Sequence, residues 1–145
     1  MRVSECMTRD VRFAGPEAKL RDVARAMASL DIGLLPVADD NRLVGMITDR
    51  DIAVRGVASG MGPDTPVKDV MSTDVKYCFE DEEVASVLDN MGDIQVRRLP
   101  VLNREKRLVG IVSLGDLATN GDATNAGRAL GGISKPGGEH SQTAH

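Results

Sequence analysis

The chain has 145 residues, of which 41% are hydrophobic and 28% charged; this suits one globular domain or two small intertwined halves rather than a large multidomain enzyme, and suggests neither global disorder nor a membrane protein. With 18 basic against 22 acidic residues the net charge is −4, the wrong sign for a protein held on nucleic acid by phosphate neutralisation. Phe13, Phe79 and Tyr77 are the whole aromatic complement and Trp is absent, so the core is aliphatic and a bound base would rest on Val, Ile, Leu or Met.

In chain order, Met1-Arg2-Val3-Ser4-Glu5 lacks the apolar core of a signal peptide, and the most apolar stretch, residues 33–38, is too short to span a bilayer. No membrane partner and a cytoplasmic location are therefore expected. Residues 10–13 read as a short strand. Leu20, Val23, Ala24, Met27 and Leu30 then recur at helical spacing and predict one apolar stripe. Residues 34–38 and 43–47, separated by Asp39-Asp40-Asn41-Arg42, predict a hairpin, and residues 49–55 a short helix. Residues 56–66, with Gly60, Gly62, Pro63 and Pro66, form a turn-rich connection.

The same series then recurs. Val67-Lys68-Asp69-Val70 mirrors Val3-Ser4-Glu5-Cys6, and residues 74–78 read as a strand. Val84, Val87, Leu88, Met91 and Ile94 repeat the helical stripe, residues 99–102 and 108–112 the hairpin, and residues 114–119 the short helix. Sliding the sequence from Met7 onto Met71 matches Val3, Asp10, Val11, Val23, Met27, Leu35, Pro36 and Val37 with Val67, Asp74, Val75, Val87, Met91, Leu99, Pro100 and Val101. One extra residue in the polar turn at 103–107 then brings Leu43, Val44, Gly45, Asp51 and Ala53 onto Leu108, Val109, Gly110, Asp116 and Ala118. The chain is an internal duplication of two β-α-β-β-α copies, at 2–56 and 67–120 with a linker at 57–66. The expected class is α/β (α+β), with the copies packed sheet to sheet, because a half this small is marginal alone. Residues 121–145 are rich in Gly, Asn, Ser and Thr and are expected to be a flexible tail holding at most a short helix around 125–130. Cys6 and Cys78 make neither a disulfide framework nor a metal knuckle and read as small hydrophobes.

Each hairpin ends in one pattern: Gly45-Met46-Ile47-Thr48-Asp49-Arg50-Asp51 and Gly110-Ile111-Val112-Ser113-Leu114-Gly115-Asp116. Thr48 and Ser113 are good N-caps, and an acidic residue three positions later is a capping-box variant. The same geometry can serve a ligand, since a hydroxyl and free N–H groups can receive phosphate while a carboxylate one turn in can accept both hydroxyls of a ribose. The two roles can coexist.

Met-Thr/Ser near the start of each copy, Leu-Pro-Val on the strand and Gly-x-x-Thr/Ser-x-x-Asp at the second helix together resemble a tandem pair of cystathionine-β-synthase (CBS) domains, over about residues 2–120. The stretches at 31–37, 46–52 and 95–101 are similar to stand-alone bacterial CBS pairs of the hypoxic-response type. The resemblance implies a regulatory sensor that binds AMP, ADP, ATP, NAD or S-adenosylmethionine in clefts between its halves and needs no obligatory cofactor. By motif position, Asp51 and Asp116 would hold ribose hydroxyls, and Thr48 and Ser113 would contact ribose or phosphate. Val11, Val75, Gly33, Leu34, Arg97 and Arg98 would line the base and phosphate pockets. Arg97 and Arg98 could neutralise phosphate, although an arginine pair beside a strand also reads as a solvated edge. Arg50 stands where the second copy has Gly115, so the two clefts are chemically unequal.

An enzyme is not expected. The histidines, His140 and His145, lie in the tail, which leaves no partner for a Ser–His or Cys–His nucleophile and no structural zinc cluster. CBS pairs also occur inside inosine monophosphate dehydrogenase, but this chain has no room for a catalytic barrel. Regulation would act in trans on an unknown protein target, and the apolar stripes together with the resemblance imply a homodimer. The alternative reading is a ligand-free structural or interaction scaffold.

Overall fold

A computed structural model describes residues 1–136. Helix α1 (Leu20–Leu30) buries Leu20, Val23 and Met27, and α3 (Val84–Ile94) buries Val84, Val87, Leu88 and Met91, so the repeated stripe becomes a repeated helix face. Both helices stop at a residue in the left-handed region, Asp31 at φ 53° and Gln95 at φ 59°. A non-glycine residue there costs about 1 kcal/mol. Gln95 offsets it with a side-chain amide that donates to the Gly132 and Lys135 carbonyls at 3.2 Å.

Strands β1 (Leu34–Asp39) and β2 (Arg42–Thr48) pair antiparallel, with Leu34 opposite Thr48 and Leu35 opposite Ile47. Asp40 and Asn41 close the hairpin at φ 50° and 63°, the positive values that a two-residue type I′ turn demands. A short α2 (Asp49–Asp51) follows and widens into a π-helical turn at Ile52–Gly56. In the second copy β3 (Cys78–Phe79) runs parallel to β4 (Arg98–Leu102), β4 neighbours β5 (Leu108–Ser113), and α4 (Leu114–Asn120) follows. The strands expected at 10–13 and 74–78 are displaced toward the C-terminus. Pairing begins at Ala14, which bridges Val37, and at Cys78, which pairs with Val101. Ala14 and Cys78 are the buried apolar residues there, whereas Asp10, Arg12, Phe13 and Tyr77 are exposed.

Two compact units cut across the two sequence copies. One comprises Arg12–Val75 with Lys106–Leu108 and holds Asp51; the other comprises Met1–Val11, Lys76–Glu105 and the described chain from Val109 to Pro136 and holds Asp116. The first residues of each copy therefore pack with the body of the other. In the Asp116 unit the Val3 N–H donates to the Glu82 carbonyl at 3.0 Å and Thr8 bridges Ile111; in the Asp51 unit the Val67 N–H donates to the Ala18 carbonyl at 2.7 Å and Ser72 bridges Met46. Val3, Val67 and Val70 are fully buried in these cores.

The Asp116 unit also carries an addition. Helix α5 (Ala123–Ile133) is longer than the short helix expected at 125–130, and it buries Ala126 and Ala129. Its small residues allow backbone contact with α3: a Cβ placed on Gly92 would lie 3.3 Å from the Ala129 Cα, and one on Gly132 would lie 2.8 Å from the Gly92 oxygen. The expected flexible tail is thus a packed helix as far as the described residues go, because low side-chain bulk, which argued for disorder, is what close helix packing uses. Residues 137–145, with both histidines, lie outside the described residues. The helix also explains why Leu88 is fully buried while its counterpart in the other copy, Ala24, is exposed. No helix among the described residues is long and apolar enough to cross a membrane.

Candidate functional site

The site grows from the junction of each hairpin with its second helix. Thr48 has extended backbone angles, and its Oγ1 accepts the Asp51 N–H at 3.0 Å while an Asp51 carboxylate oxygen, Oδ2, accepts the Thr48 N–H at 3.0 Å. Ser113 and Asp116 repeat this reciprocal pair, again at 3.0 Å in both directions. Two otherwise orphaned backbone donors are satisfied in each copy, so the capping function expected from the sequence is present. Each carboxylate meets its cap through Oδ2, and all four residues are half-buried, which leaves the Oδ1 side able to meet a ligand.

Other expected residues gather around each junction. In the Asp51 unit the Asp49 N–H donates to the Gly33 carbonyl at 2.9 Å and Leu34 lies opposite Thr48. In the Asp116 unit the Leu114 N–H donates to the Arg97 carbonyl at 2.8 Å, and Arg98 opens the adjacent strand β4. Gly33 and Leu34 are half-buried; Arg50, Arg97 and Arg98 are exposed. Val75 follows Ser72, whose backbone exchanges two hydrogen bonds of 2.9 Å with Met46, and Val11 follows Thr8, which exchanges bonds of 2.8 and 3.0 Å with Ile111. The eleven expected residues therefore sort into two sets: Gly33, Leu34, Thr48, Arg50, Asp51 and Val75 in one unit, and Val11, Arg97, Arg98, Ser113 and Asp116 in the other. Each motif shares its unit with the lead-in of the opposite copy.

Sequence reasoning passed over what the motif glycines do. A Cβ on Gly45 would lie 2.5 Å from the Met71 Sδ and 3.0 Å from the Ser72 carbonyl oxygen; one on Gly110 would lie 2.6 Å from the Met7 Sδ and 3.0 Å from the Thr8 oxygen. These glycines let the exchanged lead-in lie against the strand that carries the hydroxyl residue. The signal was the hydroxyl residue, Thr8 or Ser72, following Met7 and Met71. Asp49 was also passed over: its carboxylate lies over Gly33, with Oδ2 2.8 Å from where a Cβ on that residue would stand.

Both cysteines are free and buried. Burial pushes the Cys78 thiol up to about 12, with nearby Glu82 adding to the effect. Burial also raises Cys6, helped by the negative charges of Glu5 and Asp116. Among the described residues no group of three or more His, Cys, Asp or Glu side chains could hold a metal ion. A groove of about 580 Å³ runs between α3 and α5, lined by Asp89, Asp93, Gln95, Arg128 and Lys135 among others; none of the candidate residues lines it.

The protein-family model for the CBS domain matches residues 3–56 and 67–121. The chain belongs to the CBS-domain family. It is 39% identical over 133 residues to the CBS domain-containing protein YhcV of Bacillus subtilis, covering 91% of this chain and 94% of that protein. It is 40% identical over 116 residues to hypoxic response protein 1 of Mycobacterium tuberculosis, covering 79% and 80%. A crystal structure of Hypoxic Response Protein I with two coordinated zinc ions superposes at a TM-score of 0.75 with 36% identity, over 82% of this chain and 98% of the other. The CBS domain pair of protein MJ0100, solved in complex with 5′-methylthioadenosine and S-adenosyl-L-methionine, superposes at 0.72 with 27% identity, over 82% and 94%.

Proposed function

We propose that this CBS pair is a non-catalytic regulatory module that binds adenosine-containing ligands of the AMP, ADP, ATP, NAD or S-adenosylmethionine class, with one candidate site in each compact unit. Asp51 and Asp116 accept the ribose hydroxyls through the carboxylate oxygen not used in capping. Thr48 and Ser113 sit beside ribose or phosphate, and Val75, Gly33 and Leu34, or Val11, Arg97 and Arg98, line base and phosphate. The module works as a cytoplasmic homodimer and passes its ligand state to a protein target. The observation that carries this reading is the twice-built hydroxyl–carboxylate pair, half-buried at a strand–helix junction, in a fold whose neighbour MJ0100 was solved with two adenosine compounds.

One observation favours the scaffold reading: both carboxylates already serve backbone donors, so the motif has a structural use with no ligand at all. Calorimetric titration against AMP, ADP, ATP, NAD and S-adenosylmethionine, paired with thermal melting, separates the two. A ligand at a hundredfold excess over its dissociation constant stabilises the folded protein by about 2.7 kcal/mol. Asp51→Ala or Asp116→Ala should abolish that gain at one site while the protein remains folded. Absence of binding across the panel refutes the adenosine reading in favour of the scaffold, and unchanged affinity in the double variant refutes the ribose role given to Asp51 and Asp116.

A further inference from the structure

The two candidate sites share a hydroxyl–carboxylate pair and an aspartate in the lead-in, Asp10 or Asp74, and differ in charge at the positions that flank the junction. At the junction in the Asp116 unit stand Arg97, Arg98, Leu114 and Gly115; the matching positions in the Asp51 unit are Gly33, Leu34, Asp49 and Arg50. The first set sums two guanidinium groups against the Asp116 carboxylate. The second sums one guanidinium group against the carboxylates of Asp49 and Asp51. Resting on the adenosine reading above, we propose that the Asp116 unit takes adenosine carrying phosphate, whereas the Asp51 unit takes adenosine without phosphate, neutral or cationic at its 5′ end.

The backbone geometry puts these differing residues at equivalent places in the two units. In both units the residue before the hairpin strand is held against the first residue of the second helix by one backbone hydrogen bond, from Asp49 to Gly33 at 2.9 Å or from Leu114 to Arg97 at 2.8 Å. In the Asp116 unit that position supplies an arginine, and its backbone partner Leu114 is apolar, packs against the core and brings no charge to neutralise it. Arg97 and Arg98 are exposed and make no side-chain hydrogen bond or ion pair among the described residues, so both guanidinium groups are available to an anion. In the Asp51 unit the Asp49 carboxylate fills the space a side chain at residue 33 would need, its three nearest atoms lying 2.8 to 3.3 Å from the Cβ position. A phosphate there would meet a carboxylate where the other site offers a guanidinium. A 5′ group without negative charge escapes that repulsion, and a cationic one gains from it.

AMP and adenosine differ by the phosphate alone and are the probes. Asp51→Ala leaves the Asp116 site, and calorimetry should find AMP bound at least tenfold more tightly than adenosine. Arg97→Ala with Arg98→Ala in that background should erase the preference, and added salt should narrow it. Asp116→Ala leaves the Asp51 site, where adenosine should bind at least as tightly as AMP, and Asp49→Asn should raise AMP affinity there. If either alanine variant fails to fold, the wild type serves: adenosine at a concentration that fills only its tighter site should leave one AMP site per chain open. The same AMP-to-adenosine ratio at both sites, a ratio unmoved by loss of both arginines, or full competition in the wild type would overturn the proposal while leaving the adenosine reading intact. Binding of neither probe, nor of any adenosine compound, would overturn both.

Discussion

Alanine at Gly110 and alanine at Gly115 place the same methyl group into one motif and should move stability in opposite directions. At Gly110 the new Cβ would stand 2.6 Å from the Met7 Sδ and 3.0 Å from the Thr8 carbonyl oxygen. The sulfur can swing aside. The carbonyl cannot, because Thr8 is tied to Ile111 by two backbone hydrogen bonds of 2.8 and 3.0 Å. The strand or the lead-in must give way, and overpacking of this kind costs about 1–3 kcal/mol. At Gly115 the Cβ would meet only the Ser113 Oγ, at 3.7 Å, and the residue lies in helix α4, where alanine is worth about 0.5–1 kcal/mol over glycine. Urea denaturation should separate the two variants by roughly 1.5–4 kcal/mol, the sum of those ranges. At a few degrees per kcal/mol for a chain of this size, the melting temperatures should differ by roughly 5–15 °C. Gly110→Ala within experimental error of wild type, or Gly115→Ala as damaging as Gly110→Ala, would refute the claim that the motif glycine exists for the crossing lead-in.

Gly132→Ala should destabilise by about 1–3 kcal/mol, because the atoms nearest its Cβ would be backbone atoms of Gly92, at 2.8 to 3.1 Å, while Gly127→Ala and Gly131→Ala on the same helix meet nothing within 4 Å and should be neutral or stabilising in the same melt. Cys78 should resist a thiol reagent at pH 8 until the protein unfolds, since burial pushes its thiol up to about 12 in the folded protein. The raised value also fixes a sign: the unfolded thiol loses its proton first, so stability present below about pH 9 should fall as pH rises toward about 12, and Cys78→Ala should lessen that fall in alkaline melts.

What the sequence disclosed was whatever recurs at a fixed offset. The stripes of α1 and α3, the two hairpins and the paired Thr48–Asp51 and Ser113–Asp116 caps each need only neighbours within one helical turn or one hairpin, so spacing alone exposes them. The exchange of lead-ins was not legible, because Val3 and Val67 look the same whichever copy buries them and no local pattern records which hairpin lies beside Thr8 or Ser72. Helix α5 was not legible for a related reason: Ala126, Ala129 and Gly132 resemble a loose tail until α5 is seen to meet α3 backbone to backbone at Gly92. Leu30, counted into the stripe of α1, is 37% exposed, since a periodic pattern marks a face without saying how wide the covering surface is.

The exchanged lead-ins bear on how such a module could signal. Neither copy completes a unit from its own sequence: the Asp51 unit draws Val67 and Val70 from the start of the second copy, and the Asp116 unit draws Val3, Cys6 and Met7 from the start of the first. Val75 shares a unit with Thr48 and Asp51, and Val11 with Ser113 and Asp116, so the residues proposed for each site also come from both copies. A ligand held between motif and lead-in would add its binding free energy to the contacts that keep the lead-in against its strand, and by linkage would stabilise that crossing relative to any state in which it loosens. The Gly45 and Gly110 approaches set how closely the two can lie, and the capping boxes fix the carboxylate on one side of the crossing before a ligand arrives. On the proposed reading capping and ligand binding would be successive uses of one group: Oδ2 builds the helix start, and Oδ1 would take a ligand whose presence would be felt in both copies.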